Sequence, residues 1–141
     1  MELKECMNFL LSVSQNKVFK YFSKLLEEHG VTPAQYGVLN CLWKEGQLSP
    51  KQIGAMVHLE APTISGILDK MQKADLIERS IDPTNRRNVL VMATPKSYEM
   101  KVDVEAATNH LNNLVLKKLS DEEKDELKKA LQTIIQADFE S

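Results

Sequence analysis

A chain of 141 residues with 43% apolar and 27% charged residues suits one domain around one modest core and does not read as disordered. Its net charge of −2 excludes a uniformly basic nucleic-acid binder, and the most basic stretch, residues 51–90, holds only six positive groups against five negative. Two cysteines, Cys6 and Cys41, make no disulfide framework, and there is neither a secretory leader pattern nor a long apolar run, so a soluble cytoplasmic protein without a membrane partner is expected.

From the start, Leu3, Met7, Leu10, Leu11, Val18, Tyr21, Phe22, Leu25 and Leu26 recur at spacings of three and four, which predicts one long amphipathic helix over 3–29. Gly30 is placed to end it in a left-handed conformation. Thr32-Pro33 with Gln35 forms a start signal for a helix over about 33–45, because threonine can cap and proline lacks only an N–H that would be unpaired there. Ser49-Pro50 with Gln52 repeats the signal for a short helix carrying Ile53, Met56 and Val57. A further start at Glu60-Ala61-Pro62 opens a helix to about Ala74, with Ile64, Ile67, Leu68 and Met71 inward. The tight connection at His58-Leu59 makes these two a helix-turn-helix candidate.

The period then changes. Leu76–Ile81 and Asn88–Ala93 read as two β-strands around the turn formers Asp82-Pro83-Thr84-Asn85, a hairpin with Arg86 and Arg87 just past its tip. Thr94-Pro95 opens a helix to about Leu119, and Ser120 with Glu123 caps a last helix expected to bury Leu127, Leu131, Ile134, Ile135 and Phe139. The fold class is therefore mainly α with a small β-hairpin wing (α+β): a winged helix-turn-helix. Its flanking helices carry apolar stripes that the small lobe cannot cover, which points to self-association, most simply as a symmetric dimer.

Three blocks, "VTPAQYGVLNCL", "LSPKQIGAMVHLEAPTISGILDKMQKADLIERS" and "DPTNRRNVLVMATPK", resemble the MarR family of bacterial transcriptional regulators, in order and at the family's spacing. The resemblance implies a single MarR-type domain over 1–141, with dimerisation helices in 1–30 and 96–141 and a DNA-binding lobe over 31–95. It implies a homodimer on a pseudo-palindromic double-stranded DNA operator, a repressor released by a small aromatic or phenolic effector. The helix from about Pro62 would enter the major groove, with Pro62, Thr63, Ser65 and Lys70 as contact residues. Many members have arginine where this chain has Ala61 and Gly66, so specificity is expected from the wing and from DNA shape. Arg86 and Arg87 would serve the wing, one reaching a minor groove and the other buttressed by Asp82.

Other readings stand beside these. Arg86 and Arg87 can be a solvated hairpin tip, and Thr63 and Ser65 can be local caps. Met7, Tyr36 and Trp43 are candidates for an effector cleft, although aromatics at helical spacing also build cores. Cys6 could make a redox-responsive regulator of the same fold, but it falls two residues from the reactive position of the family's peroxide-sensing branch, which Asn8 occupies. Glu2 and Glu5 oppose thiolate formation at Cys6. Cys41 lies on an apolar helix face. His29, His58 and His110 have no metal-ligand spacing, no cofactor is implied, and no nucleophile elbow or phosphate loop suggests an enzyme. The reading from another class is a winged-helix protein-interaction module that does not bind DNA.

Overall fold

The cap-and-proline signals set the helix starts in the computed structural model, which describes residues 1–140. Helix α1 spans Met7–Glu27, α2 Pro33–Glu45, α3 Pro50–Val57, α4 Ala61–Lys73, α5 Pro95–Leu116 and α6 Asp121–Gln136. Strands β1 (Gln47–Leu48), β2 (Ile77–Asp82) and β3 (Asn85–Ala93) form one antiparallel sheet in the order β1-β3-β2. At α2, Thr32 Oγ1 accepts from Gln35 N at 3.2 Å while Gln35 Oε1 accepts from Thr32 N at 3.1 Å. Ser49 and Gln52 make the same reciprocal pair at α3, as do Ser120 and Glu123 at α6. Each box satisfies two backbone donors that no helical carbonyl can reach.

The first predicted helix is divided. A short 3₁₀ turn over Leu3–Glu5 closes with Cys6 N donating to Leu3 O at 3.0 Å, and α1 begins after an extended Cys6 at φ −78°, ψ 119°. A periodic apolar pattern continues through such a break, so periodicity alone does not reveal it. Gly30 adopts φ +69° and ends the helical run as expected.

The core gathers Leu26, Val38, Leu39, Leu42, Ile53, Ile64, Leu68, Met71, Leu76, Ile77, Val91 and Val104. Helix α2 lies at its centre, against α1, α3, α4, α5 and β3. The turn between α3 and α4 is tight: His58 is left-handed at φ 57°, and Leu59 N donates to Gly54 O at 3.0 Å. A Cβ on Gly54 would meet Leu59 O at 3.0 Å, so glycine permits this approach. Strand β1 was not foreseen. It pairs Gln47 with Met92 and Leu48 with Val91, and so ties the end of α2 to the wing.

Several expected core positions are not covered. Met56 and Val102 are exposed, and Ile67 is only half-buried. Helix α6 buries no residue: Leu127, Leu131 and Ile134 are 37%, 38% and 37% exposed, Ile135 is more so, and Phe139 reaches 83%. The stripe is present, but among the described residues it is left more than a third open to solvent. No helix is long and apolar enough to cross a membrane among the described residues.

Candidate nucleic-acid interface

The wing owes its shape to an irregular register. Ile81 pairs with Val89, yet the next pair is Asp82 with Asn85. Residues 86–88 of β3 therefore have no partner on β2, and Arg86, Arg87 and Asn88 form a bulge beside the two-residue turn Pro83-Thr84. A bulge bends its strand and re-aims its side chains. Both arginines are exposed, and among the described residues neither guanidinium has an ion-pair or hydrogen-bond partner.

Asp82 supports the wing by another route than an arginine. Its Oδ1 accepts from Thr84 N at 2.9 Å and from Thr84 Oγ1 at 2.7 Å, and Asn85 Oδ1 accepts from Arg87 N at 3.2 Å. Two consecutive Asx-type turns thus shape the tip. The Thr84 hydroxyl, and then its N–H, hold the Asp82 carboxyl below its ordinary range. The expected pairing of Asp82 with an arginine is not formed, because the short turn brings Thr84 to the carboxylate first.

The wing is fastened to α4 by a residue that sequence reading passed over. Arg79 on β2 donates from Nη2 to Asp69 Oδ1 at 2.8 Å and from Nε to Gln72 Oε1 at 2.6 Å. The fork of a guanidinium suits two acceptors three residues apart on one helix flank. Ser65 shares that flank with Asp69 and Gln72, whereas Thr63 and Lys70, seven residues apart, share the other. Pro62 and Gly66 lie between them, on the face turned away from the buried Ile64, Leu68 and Met71. Among the described residues the hydroxyls of Thr63 and Ser65 make no hydrogen bond, so neither acts as a local cap. Helix α4 receives no side-chain cap from its N-cap residue, Glu60. Its first-turn N–H groups are left for an anion such as phosphate.

An open groove runs between α3, the start of α4 and the wing. It brings Ser65, Asp82 and Arg87 together, and adds Lys51, His58 and Asn88, which sequence reading did not single out. Lys51 directly follows Pro50 and belongs to a stretch read only for its cap. Pro62, Thr63, Lys70 and Arg86 lie outside this groove, on the outer flank of α4 and the far side of the bulge. Among the described residues of the lobe, the cations Lys51, Lys70, Lys73, Arg86 and Arg87 have no ion-pair partner and are exposed on α3, α4 and the wing, and Lys44 is exposed on α2.

The effector candidates separate. Tyr36 stacks edge-on against Phe22 at 5.6 Å and against Trp43 at 6.5 Å. Trp43 is only 8% exposed, and its Nε1 has no hydrogen-bond partner. Met7 precedes Phe22 by 15 residues on the same helix, about 22 Å along its axis. It is therefore not part of this cluster within one chain. Cys41 is buried, and burial followed by the Glu45 charge pushes its thiol pKa up. Among the described residues no group of His, Cys, Asp and Glu is disposed to hold a metal ion.

The MarR family model matches residues 31–89. The regulator MgrA of Staphylococcus aureus is 30% identical over 136 residues, covering 96% of this chain and 91% of MgrA. The organic hydroperoxide resistance transcriptional regulator of Bacillus subtilis is 30% identical over 139 residues, with the same coverage of 96% and 91%. In fold, the transcriptional repressor CouR bound to a 23-mer DNA duplex superposes with a TM-score of 0.89 at 24% identity, over 96% of both chains. CouR of Rhodococcus jostii RHA1 bound to p-coumaroyl-CoA gives 0.86 at 24% identity, over 99% of this chain and 98% of that one.

Proposed function

The chain belongs to the MarR family of DNA-binding transcriptional regulators, and on that premise we propose that it is a homodimeric repressor of a pseudo-palindromic operator, released by a small aromatic or phenolic ligand. The observation that carries DNA binding is the bulged wing. Two unpartnered arginines stand out from β3, whose neighbouring strand β2 is held to the recognition helix α4 by Arg79. In this reading the outer face of α4 enters the major groove, with Pro62, Thr63, Ser65 and Lys70 at the DNA. Arg86 and Arg87 reach the flanking minor groove, where narrow A·T-rich sequence is most negative. With alanine at position 61 and glycine at 66, α4 brings few bidentate base readers, and shape readout carries much of the specificity.

The dimer reading is supported by the apolar stripes that α1, α5 and α6 leave uncovered. Two lobes must present their recognition helices about 34 Å apart, one turn of DNA, to engage both half-sites. A ligand that favours another spacing lowers occupancy by its differential affinity for the two arrangements. The orphan indole N–H of Trp43, next to Tyr36, supports a ligand that brings an aromatic ring and an oxygen acceptor. CouR, which binds DNA and p-coumaroyl-CoA, offers a precedent in a protein of the same fold.

Binding to the DNA upstream of the gene, titrated with salt, tests the reading. Affinity should fall steeply with salt, and Arg86→Ala with Arg87→Ala should lose about 10- to 100-fold and flatten the salt slope by about 1 to 2. Salt-insensitive binding, or none, would favour the protein-interaction module instead.

Cys6 supports a second, redox-responsive reading. It is half-buried at the N-cap of α1, and one relative is a regulator of organic hydroperoxide resistance. Against it, Lys4 pairs with Glu2 at 3.2 Å. Peroxide that releases DNA from the wild type but not from Cys6→Ser would establish the redox route; equal release from both would remove it.

A further inference from the structure

The first turn of α5 is stitched to the end of the recognition helix, and no DNA contact described above needs that seam. After α4 the chain passes through Ala74, Asp75 at φ 60° and Leu76 before entering β2. After β3 it passes through Thr94 into α5. These two junctions are joined by three hydrogen bonds. Thr94 N donates to Leu76 O at 3.1 Å, Thr94 Oγ1 donates to Asp75 O at 2.7 Å, and Lys96 Nζ donates to Ala74 O at 2.8 Å. The same Thr94 Oγ1 accepts from Ser97 N at 3.2 Å, and Ser97 Oγ donates to Thr94 O at 2.9 Å. Thr94 is 2% exposed and Ser97 is fully buried.

Two features make this more than an ordinary helix cap. Helix α4 ends on a left-handed Asp75, with Asp75 N and Leu76 N donating back to Gln72 O and Met71 O; the carbonyls of Ala74 and Asp75 lie beyond reach of that turn and are satisfied from another element. The hydroxyl of Thr94 also serves both helices at once, accepting at the start of α5 and donating at the exit of α4. In a buried place such a shared hydroxyl resists sliding, because moving either helix leaves polar groups unpaired. Helix α5 then runs for 22 residues toward the uncovered apolar surface at Leu114 and Val115.

We infer that Thr94, assisted by Lys96, is a positioning residue that makes the orientation of α5 dictate the attitude of α4. In the dimer it thereby sets the distance between the two recognition helices. The inference rests on the homodimer reading above. It assigns Thr94 no contact with DNA. Its effect is on the preferred spacing of half-sites, not on the contacts each half-site makes.

The test uses the full chain as wild type, Thr94→Val and Thr94→Ser. Valine keeps the shape and removes both side-chain bonds; serine keeps the hydroxyl. Affinity is measured for the natural operator, for operators with one or two base pairs inserted between half-sites, and for a lone half-site. Wild type and Thr94→Ser should discriminate against the altered spacers. Thr94→Val should lose about fivefold or more of that discrimination, while its half-site affinity stays within about twofold of wild type. If Thr94→Val melts before it can be measured, Lys96→Met, at an exposed position, should show a smaller loss in the same direction. Unchanged discrimination in the variant that folds would overturn the inference. So would a loss of half-site affinity as large as the loss of discrimination, which would make Thr94 merely structural. A wild type indifferent to spacing would sink the dimer reading itself, whatever the variants do.

Discussion

Helix α4 and helix α6 both carry leucine and isoleucine at helical spacing, and they end in opposite states. In α4, Ile64, Leu68 and Met71 are buried against α2, α3 and the sheet. In α6, Leu127, Leu131 and Ile134 form an equally regular stripe, none of it buried among the described residues. The capping box of Ser120 and Glu123 and three acidic residues in the first turn mark where α6 begins. They do not give it a place. The lobe's helix is specified by what it packs against, whereas the last helix is specified locally and keeps its stripe open, which is what the proposed homodimer would cover.

The largest effect that could break this comparison is on assembly. Leu127→Glu with Leu131→Glu should give a monomer in sedimentation. Operator affinity should fall at least about 100-fold, because the two half-sites no longer bind as one linked event. The lobe should still unfold cooperatively near its original temperature. A variant that remains dimeric would show that α6 is not the element that joins the copies.

Sequence and structure diverge along the same division. The starts of α2, α3 and α6 were legible residue by residue, since a capping box is a contact between positions three apart. The hairpin was legible too, but not its bulge, which depends on which residue of β2 each residue of β3 meets. Strand β1 is two residues long and exists only because Met92 and Val91 lie opposite it. The Arg79 clamp spans two elements, with partners 7 and 10 positions away. Arg86 and Arg87 were legible as candidates from their turn and their place in the resemblance. Lys51 and His58 became candidates only once α3 and the wing faced each other across a groove. The stripe on α6 was visible in sequence, but a periodic pattern does not say what it lies against.

Glycines sharpen the contrast inside the lobe, at an intermediate scale. Gly54→Ala places a Cβ 3.0 Å from Leu59 O, which is backbone and cannot step aside, so a loss of about 1–3 kcal/mol is expected. Gly66→Ala meets nothing within 4 Å on the outer face of α4. It should stabilise the protein by about 0.5–1 kcal/mol through helix propensity alone. Thermal melts of the two variants should therefore shift in opposite directions. If Gly66→Ala melts lower, α4 is not an undistorted helix at that point.

The smallest effect separates local order from order lent by a partner. Two carboxylates are held below their ordinary range by nearby hydrogen bonds: Asp82 by the hydroxyl and N–H of Thr84, and Glu123 by the N–H and hydroxyl of Ser120. For a depressed carboxyl the sign is fixed. The stabilisation is present above the unfolded-state pKa, about 4 for either residue, and is lost as pH falls through the lower folded-state value. The wing turn and the start of α6 should therefore loosen only in acid, with amide shifts of Thr84 and Ser120, which donate to the two carboxylates, titrating below the ordinary carboxylate range. In the monomeric Leu127→Glu, Leu131→Glu variant the two should part. Asp82 belongs to a turn closed by neighbours two residues away and should titrate as before. An unsupported 16-residue helix is marginal in water, so Glu123 should move back toward its ordinary range as α6 frays. If Glu123 instead kept its depressed titration in the monomer, α6 would be stable without a partner, and its open stripe would no longer argue for one.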